Sequence, residues 1–204
     1  MDSFSVDYII DSGGFTATLT NTLHAQGSKW QYRSRGSKFL VGKIIKRSDF
    51  YVQGGNFLLD TFYSYERFGL SGDELTISVD RTDAKLRISN DDDQPLKEFI
   101  VFDEASQHLA IQCLIRSGYY EFQLPIMRDD GVKRAAYDVR AVENIDTHDG
   151  EYQTIKLEQE RADDDDHFVF WVAPDLDYIP VKFAYFDDGV EKEFEAVMKK
   201  YSFD

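Results

Sequence analysis

FWVAPDLDYIPVKFAYFDDGVEKEFEAVMKKY, running from Phe170 to Tyr201, is the stretch that decides the fold class of this chain of 204 residues. It consists of three runs rich in apolar and aromatic residues, which the short polar turns PDLD and FDDG separate. Aromatic and β-branched residues favour half-buried, pleated surfaces, and Asp-Gly turns between such runs are typical of β-hairpins. The stretch therefore predicts three consecutive antiparallel strands, and it contains no obvious catalytic group.

The N-terminal part of the chain shows the same kind of pattern. In FSVDYII, from Phe4 to Ile10, every second residue is apolar, and the segment FTATLTNTL repeats the alternation after the turn DSGG. A period of two predicts strands with one buried face. Acidic turns such as RDDG, THDG and RADDDDH separate further apolar runs in the second half of the chain. We therefore expect strands throughout residues 3–89 and an antiparallel meander over residues 119–200.

One segment, DEASQHLAIQCLIRSG from Asp103 to Gly118, has the spacing of a helix instead. Leu109, Cys113 and Leu114 would lie on one side of it, acidic residues open it, and Gly118 suits its C-terminal end. The pattern predicts a helix over about 103–117 whose apolar stripe, Cys113 included, packs into the core.

These patterns together predict a mainly β fold of the α+β class, in a single domain over residues 1–204. A helix that packs on one face of a long antiparallel sheet would bury its own stripe and cover the apolar side of the sheet. We therefore expect a single curved antiparallel sheet, or half-barrel, wrapped around one central helix.

The net charge of −15 argues against partners that are themselves polyanions. Residues 1–60 contain seven Lys and Arg against five Asp and Glu, whereas residues 61–204 contain sixteen against thirty-three. Nucleic acid is therefore not an expected partner, and membrane contact is expected to be peripheral at most. The exception is the segment from Lys29 to Arg47, which has seven basic residues and no acidic one. Arg33 and Arg35 share a strand face there and could contact anionic head groups, unless they form an ordinary exposed face.

The sequence contains no motif that points to catalysis, a cofactor or a metal. The four histidines lack metal-binding spacing, and the single cysteine excludes both an internal disulfide and a cysteine zinc cage. The aspartate run Asp163–Asp166 lacks the spacing of a calcium loop and is interpreted as a solvated turn. Glycine-rich phosphate loops and serine nucleophile elbows are also absent. We expect no enzymatic activity, no cofactor and no metal.

The run WVAPDLDYIPVK, from Trp171 to Lys182, combines a tryptophan strand, a polar turn and an Ile-Pro-Val strand. The long hairpin of residues 137–161, the segment FYVQGGNFLLDTFYSYERFG and the Asp103 helix precede it in order. As an ordered set they resemble the domain-of-unknown-function family numbered 3108 over most of the chain. The resemblance implies an exported, periplasmic bacterial protein, although MDSFSVDYII lacks an export signal. It also implies a curved sheet similar to the lipoprotein carriers LolA and LolB, in which an apolar cavity accepts acyl chains.

If the sheet stays open as in those carriers, part of its inner face would line a ligand cavity. We then predict a non-enzymatic protein of the cell envelope that binds an apolar or amphipathic, lipid-like ligand, such as the acyl chain of a lipid or lipoprotein. One alternative is an assembly module with a self-filled core, whose strand edges pair with an envelope protein. The other is an uncharacterised hydrolase. The residues expected to line the cavity are Trp30, Tyr32, Phe57, Phe62, Leu109, Leu114, Phe122, Trp171 and Phe183.

Overall fold

The computed structural model describes residues 2–38, 42–69, 71–128, 130–161, 164–187 and 191–203. Alternating burial along the strands follows the alternation in the sequence, as in β1, where Phe4, Val6 and Tyr8 are buried. The elements are β1 (Phe4–Ser12), β2 (Phe15–Gln26), β3 (Lys29–Lys38), β4 (Gly42–Gln53), β5 (Asn56–Phe68), β6 (Ser71–Asp80), β7 (Lys85–Ile88), β8 (Gln94–Pro95), α1 (Gln107–Arg116), β9 (Glu121–Arg128), β10 (Gly131–Asp146), β11 (Glu151–Arg161), β12 (Asp164–Ala173), β13 (Ile179–Asp187) and β14 (Glu191–Phe203).

All fourteen strands belong to one sheet, in the order β8-β7-β6-β5-β4-β3-β2-β1-β14-β13-β12-β11-β10-β9. Each strand pairs antiparallel with the next strand in sequence, except that β8 does not pair with β9, and β1 joins the two halves by pairing with β14. The sheet does not close, because β8 and β9 are both edge strands. The predicted fold class, mainly β with one curved antiparallel sheet and one helix, is confirmed.

Both edges of the sheet are short or covered. β8 has only two residues, one of them Pro95, which has no backbone N–H to donate. On the other edge, Phe102 forms a parallel bridge to Ile126 of β9. The Phe102 N–H donates to Pro125 O at 2.9 Å, and the Met127 N–H donates to Phe102 O at 2.7 Å. The chain just before α1 therefore occupies part of the edge that β9 would otherwise expose.

Helix α1 lies between two apolar clusters and is buried on more than one side. Leu109 belongs to a cluster built mainly by β1 to β7 and by β12 to β14. Ala110, Ile111 and Ile115 belong to a second cluster with side chains of β9 to β12. The prediction that Cys113 lies in the core is wrong, because Cys113 is exposed. The helix contacts the sheet around it rather than through a single stripe, so the buried positions are not those of a one-sided amphipathic helix.

The buried polar groups at the start of α1 fix the chain in place. Both carboxylate oxygens of Asp103 accept hydrogen bonds: Oδ1 from the Ser48 hydroxyl at 2.8 Å, and Oδ2 from the Ser106 hydroxyl at 2.8 Å. Oδ1 also accepts the Ala105 and Ser106 backbone N–H groups at 2.8 and 2.9 Å. These bonds form a turn, so the helix itself begins at Gln107. No helix among the described residues is long and apolar enough to span a membrane.

Candidate functional site: a pocket beside the helix end

Most of the residues expected to line a cavity lie in or against the core. Tyr32, Phe62 and Leu109 are buried in the first cluster, and Trp30, Phe57 and Phe183 pack against it. Leu114 and Phe122 pack against the second cluster. Phe57 and Phe183 pack against both clusters and so connect them. The helix and the inner face of the sheet fill much of the concavity with their own side chains.

Trp171 is buried in the first cluster, which also contains Leu109. It lies on the face of β12 opposite Phe170 and Val172, which belong to the second cluster. Its Nε1 donates to Glu143 Oε1 at 2.5 Å, and the Lys182 ammonium lies 4.6 Å from its ring centroid. The signature tryptophan of the sequence is therefore a buried residue that contacts side chains of β10 and β13.

A pocket of about 180 Å³ lies where the C-terminal end of α1 meets the start of β1, the end of β14 and the β4–β5 turn. Gly54 and Gly55 form that turn with φ angles of 59° and 81°, which only glycine adopts readily. The apolar part of the lining includes Phe57 and Leu109 of the predicted set. Together with these two residues, the apolar side chains of the lining are Phe4, Val52, Ile179 and Phe203.

The pocket also contains polar atoms without hydrogen-bond partners in the described part of the chain. Gln112 is only 7% exposed, and its Nε2 has no partner there. The buried Tyr201 hydroxyl also has no hydrogen-bond partner among the described residues. Burial raises the pKa of Tyr201 above its ordinary value. An unsatisfied buried donor costs about 1–3 kcal/mol. The pocket therefore suits a molecule that brings a hydrogen-bond acceptor to Gln112.

Charged and apolar groups surround the entrance. Arg116 forms an ion pair with Asp177, and both residues line the pocket. Val52 and Phe203 are 44% and 58% exposed, so apolar surface continues from the interior of the pocket to its edge. The Cys113 thiol is at this entrance, and burial of part of the side chain raises its pKa. A thiol with a raised pKa is a poor nucleophile at neutral pH.

Sequence reasoning missed the polar residues of this pocket. Gln112, Arg116, Asp177 and Tyr201 come from α1, the β12–β13 turn and β14, so no short motif connects them. Gln112 alone gave a signal, since it is a polar residue within the apolar run LAIQCLI. Arg33 and Arg35 lie on β3, on the face opposite the buried Tyr32.

Other polar clusters are structural or lie elsewhere. The Tyr137 hydroxyl donates to Gln107 Oε1 at 2.6 Å, and Gln159 Nε2 donates to the Tyr137 oxygen at 2.9 Å, which fastens α1 to β10 and β11. Among the described residues, no group of three His, Cys, Asp or Glu side chains could hold a metal ion. Asp163, the first residue of the acidic run, lies outside the described residues.

An open antiparallel sheet wrapped around a helix, with a small pocket beside the helix end, defines a barrel-like fold of a single layer. A family model for a protein of unknown function, DUF3108, matches residues 3–193. The chain belongs to this family, which confirms the resemblance described from the sequence. Comparison with curated proteins finds no match.

One solved structure shares this architecture, and two others have lower similarity. A β-barrel-like protein of domain of unknown function DUF1849 from Brucella abortus has a TM-score of 0.64 at 9% identity, over 100% of this chain and 98% of that chain. A Pseudomonas aeruginosa MucA/MucB complex gives 0.42 at 11% identity, over 100% of this chain and 52% of that chain. A candidate lipoprotein from Parabacteroides distasonis gives 0.40 at 11% identity, over 99% of this chain and 96% of that chain. The likeness to the Brucella protein concerns the fold alone.

Proposed function

We propose that the protein is a non-catalytic binding protein of the cell envelope, and that its pocket holds one end of an apolar or amphipathic chain. The observation that carries the proposal is the pocket itself: apolar side chains line it, and the buried Gln112 amide has no partner for its Nε2 among the described residues. The envelope location is part of the proposal and follows the family resemblance.

The size of the pocket limits what can enter it. Its 180 Å³ is less than the roughly 300–1,000 Å³ of pockets that enclose drug-sized ligands. It holds about six water-sized groups, since the share of one water in the liquid is about 30 Å³. A chain end of that length would gain roughly 5 kcal/mol from burial, at about 0.8 kcal/mol per methylene. The remainder of a longer chain would lie along the exposed Val52 and Phe203.

The polar side of the pocket favours a ligand with an acceptor group. Gln112 Nε2 can donate to a carbonyl or carboxylate oxygen, and Arg116 at the entrance can pair with a negative charge. A fatty acid or an acylated amine carries such an oxygen at the junction of its chain. An uncharged alkane would leave the Gln112 donor unsatisfied and would therefore bind more weakly.

The two alternatives from the sequence receive less support. Assembly through strand edges needs a long unpaired strand, but β8 has two residues and Phe102 pairs with β9. Hydrolysis needs a carboxylate or histidine that reaches the ligand. The carboxylates of the pocket lining are Asp2 and Asp177, and Asp177 is engaged in its ion pair with Arg116. The buried Asp103 accepts four hydrogen bonds and is not part of the lining.

Protection of Cys113 from a thiol reagent tests the proposal directly, because it is the only cysteine of the chain and it lines the pocket. We expect decanoate to slow maleimide labelling about tenfold at a concentration about ten times its Kd. Labelling is best followed at mildly alkaline pH, because burial raises the pKa of the thiol. Mass spectrometry of intact protein follows the reaction.

Matched variants separate pocket binding from nonspecific adsorption. Cys113→Phe places a ring in the entrance and should abolish the decanoate adduct seen by native mass spectrometry. Thr16→Phe adds the same ring to an exposed site on β2 outside the pocket lining and should leave the adduct intact. Equal labelling rates with and without decanoate, or equal adducts in both variants, would contradict the proposal. Organic extraction of protein purified from its own cells would then identify the natural occupant.

A further inference from the structure

The outer face of β3, β4 and β5 carries a group of cations in an otherwise acidic protein. Across these strands Arg33 is opposite Arg47, which is opposite Tyr63. In the next row Arg35 is opposite Ile45, which is opposite Tyr65. In the row after that, Ser37 is opposite Lys43, which is opposite Arg67. These positions alternate with the buried Tyr32, Ser48 and Phe62, so they all lie on the side away from α1. We call Arg33, Arg35, Lys43, Arg47 and Arg67 the basic face.

The cations of the basic face are largely without counter-charges. In the described part of the chain, Arg33, Arg35, Lys43 and Arg67 have no carboxylate within 4.0 Å. Like charges directly opposite on neighbouring strands destabilise a sheet. Burial and the charges of Arg35 and Arg47 lower the pKa of Arg33. Repulsion between these cations lowers the stability of the folded protein, and an anion bound among them would reduce that repulsion.

Asp49 is connected to two of these guanidinium groups, to Arg47 by a direct ion pair and to Arg33 through Gln31. Asp49 Oδ1 accepts from Gln31 Nε2 at 2.7 Å, and Gln31 Oε1 accepts from the Arg33 guanidinium at 2.5 Å. Asp49 Oδ2 lies 3.3 Å from Arg47 Nε. Gln31 is only 8% exposed, so this chain of contacts is fixed within the sheet surface. On the other side, the Arg47 guanidinium lies 5.5 Å from the centroid of the Tyr63 ring.

We propose that the basic face is a docking surface for an anionic phospholipid membrane, with a headgroup phosphate bound between Arg33 and Arg47. The planar fork of arginine matches the geometry of phosphate oxygens. Arg35, Lys43 and Arg67 add three cations within the next two rows of the same strands. The proposal stands on the outer face of the sheet and does not depend on the pocket.

The shape of this surface favours a membrane over an acidic peptide. β3, β4 and β5 are interior strands, paired on both sides, so they leave no backbone groups with which an added strand could pair. A membrane requires only side-chain heads on an accessible face. Tyr63 and Tyr65 lie among the cations, and tyrosine rings are favoured at the level of lipid headgroups.

The net charge of −15 does not prevent such docking. Electrostatic interactions between exposed groups are screened beyond about 8 Å at physiological ionic strength. The basic face therefore interacts with a membrane before most of the acidic residues do, and it determines which side of the protein approaches. Binding should weaken as the salt concentration rises.

Flotation with vesicles tests this inference. We expect the protein to float with vesicles of phosphatidylcholine containing about one third phosphatidylglycerol, and not with phosphatidylcholine alone. Arg33→Gln combined with Arg47→Gln should reduce partitioning about thirty-fold, since each basic residue near an anionic surface contributes roughly a factor of five. Arg33→Lys with Arg47→Lys keeps the charge without the fork and should retain intermediate binding.

The control removes two positive charges elsewhere. Lys97→Gln with Lys199→Gln changes exposed residues outside the basic face and should leave flotation unchanged. The proposal is overturned if wild-type protein ignores anionic vesicles, or if both charge-removing pairs reduce flotation equally. It is also overturned if inorganic phosphate alone saturates the site at sub-millimolar concentration, because the ligand would then be a free anion. Thermal unfolding of each variant shows that the fold is retained.

Discussion

Replacing Asp103 with alanine is expected to lower the free energy of unfolding by about 4 kcal/mol, the largest effect of any single polar substitution that we predict. The side chain is fully buried and accepts hydrogen bonds from two hydroxyl groups and two backbone N–H groups. Alanine leaves those donors without acceptors, and each unsatisfied buried group costs about 1–3 kcal/mol. Urea unfolding followed by tryptophan fluorescence measures the change.

Two further variants test whether the lost hydrogen bonds cause the loss of stability in Asp103→Ala. Asp103→Asn retains Oδ1 for Ser48 and for the two N–H groups, so its cost should be about 1–2 kcal/mol. Asp92→Ala removes an exposed carboxylate from the connection between β7 and β8, and should change stability by less than about 0.5 kcal/mol. A loss below 1 kcal/mol for Asp103→Ala would show that water satisfies the donors instead.

The sheet could be predicted from the sequence because its signal is local. Alternation in the segment from Phe4 to Ile10 requires one buried face, and turns with Asp-Gly or Gly-Gly fix where strands end. The helix was predictable for the same reason, since its apolar spacing differs from that of every neighbouring segment. Asp103 was recognised only as an acidic residue at a helix start, and its contact with Ser48 spans 55 residues.

The interior could not be predicted because it depends on how far α1 enters the concavity. The sequence suggested a single stripe with Cys113 inside, whereas burial of Ala110 and Ile111 rotates Cys113 towards the entrance of the pocket. Trp171 was expected on the inner face, but it occupies the opposite face of β12 from Phe170, beside an irregularity in the pairing with β13. Such irregularities change which residues face the core, and no local pattern reveals them.

The basic face was partly visible in the sequence. Arg33 and Arg35 stood out as two cations on one strand face, but their relation to Arg47 depends on the pairing of β3 with β4. The Asp49–Gln31–Arg33 contacts likewise join two strands. The charge of the segment could be predicted from the sequence, whereas the contacts of the Arg33 and Arg47 guanidinium groups depend on the fold.

The second large effect concerns acid: lowering the pH from 7 to about 4.5 should destabilise the wild-type protein by about 2 kcal/mol more than a His108→Phe variant. His108 is the second residue of α1, and its ring centroid lies 4.4 Å from that of Tyr32 in an edge-to-face arrangement. Burial lowers the pKa of His108 to about 3. A cation in the first turn of a helix is also disfavoured by the helix dipole.

The direction follows from the protons bound in each state. Between the folded pKa of about 3 and the ordinary value near 6.5, the unfolded chain holds a proton on this histidine and the folded chain does not. Stability from neutral His108 is therefore present above about pH 6.5 and is lost progressively as the pH falls. Each pH unit in that window costs at most about 1.4 kcal/mol. Phenylalanine keeps a ring against Tyr32 but cannot be protonated.

Asp103 acts in the opposite sense and must be separated from this effect. Burial raises its pKa, although its hydrogen bonds oppose the rise, so the folded protein takes up a proton there before the unfolded chain does. Its contribution to stability therefore grows as the pH falls through the raised value. Because wild type and His108→Phe share Asp103, the difference between their unfolding curves cancels its contribution and isolates the histidine. Parallel curves from pH 7 to 4.5 would show that His108 is protonated in the folded protein, and that water reaches its ring.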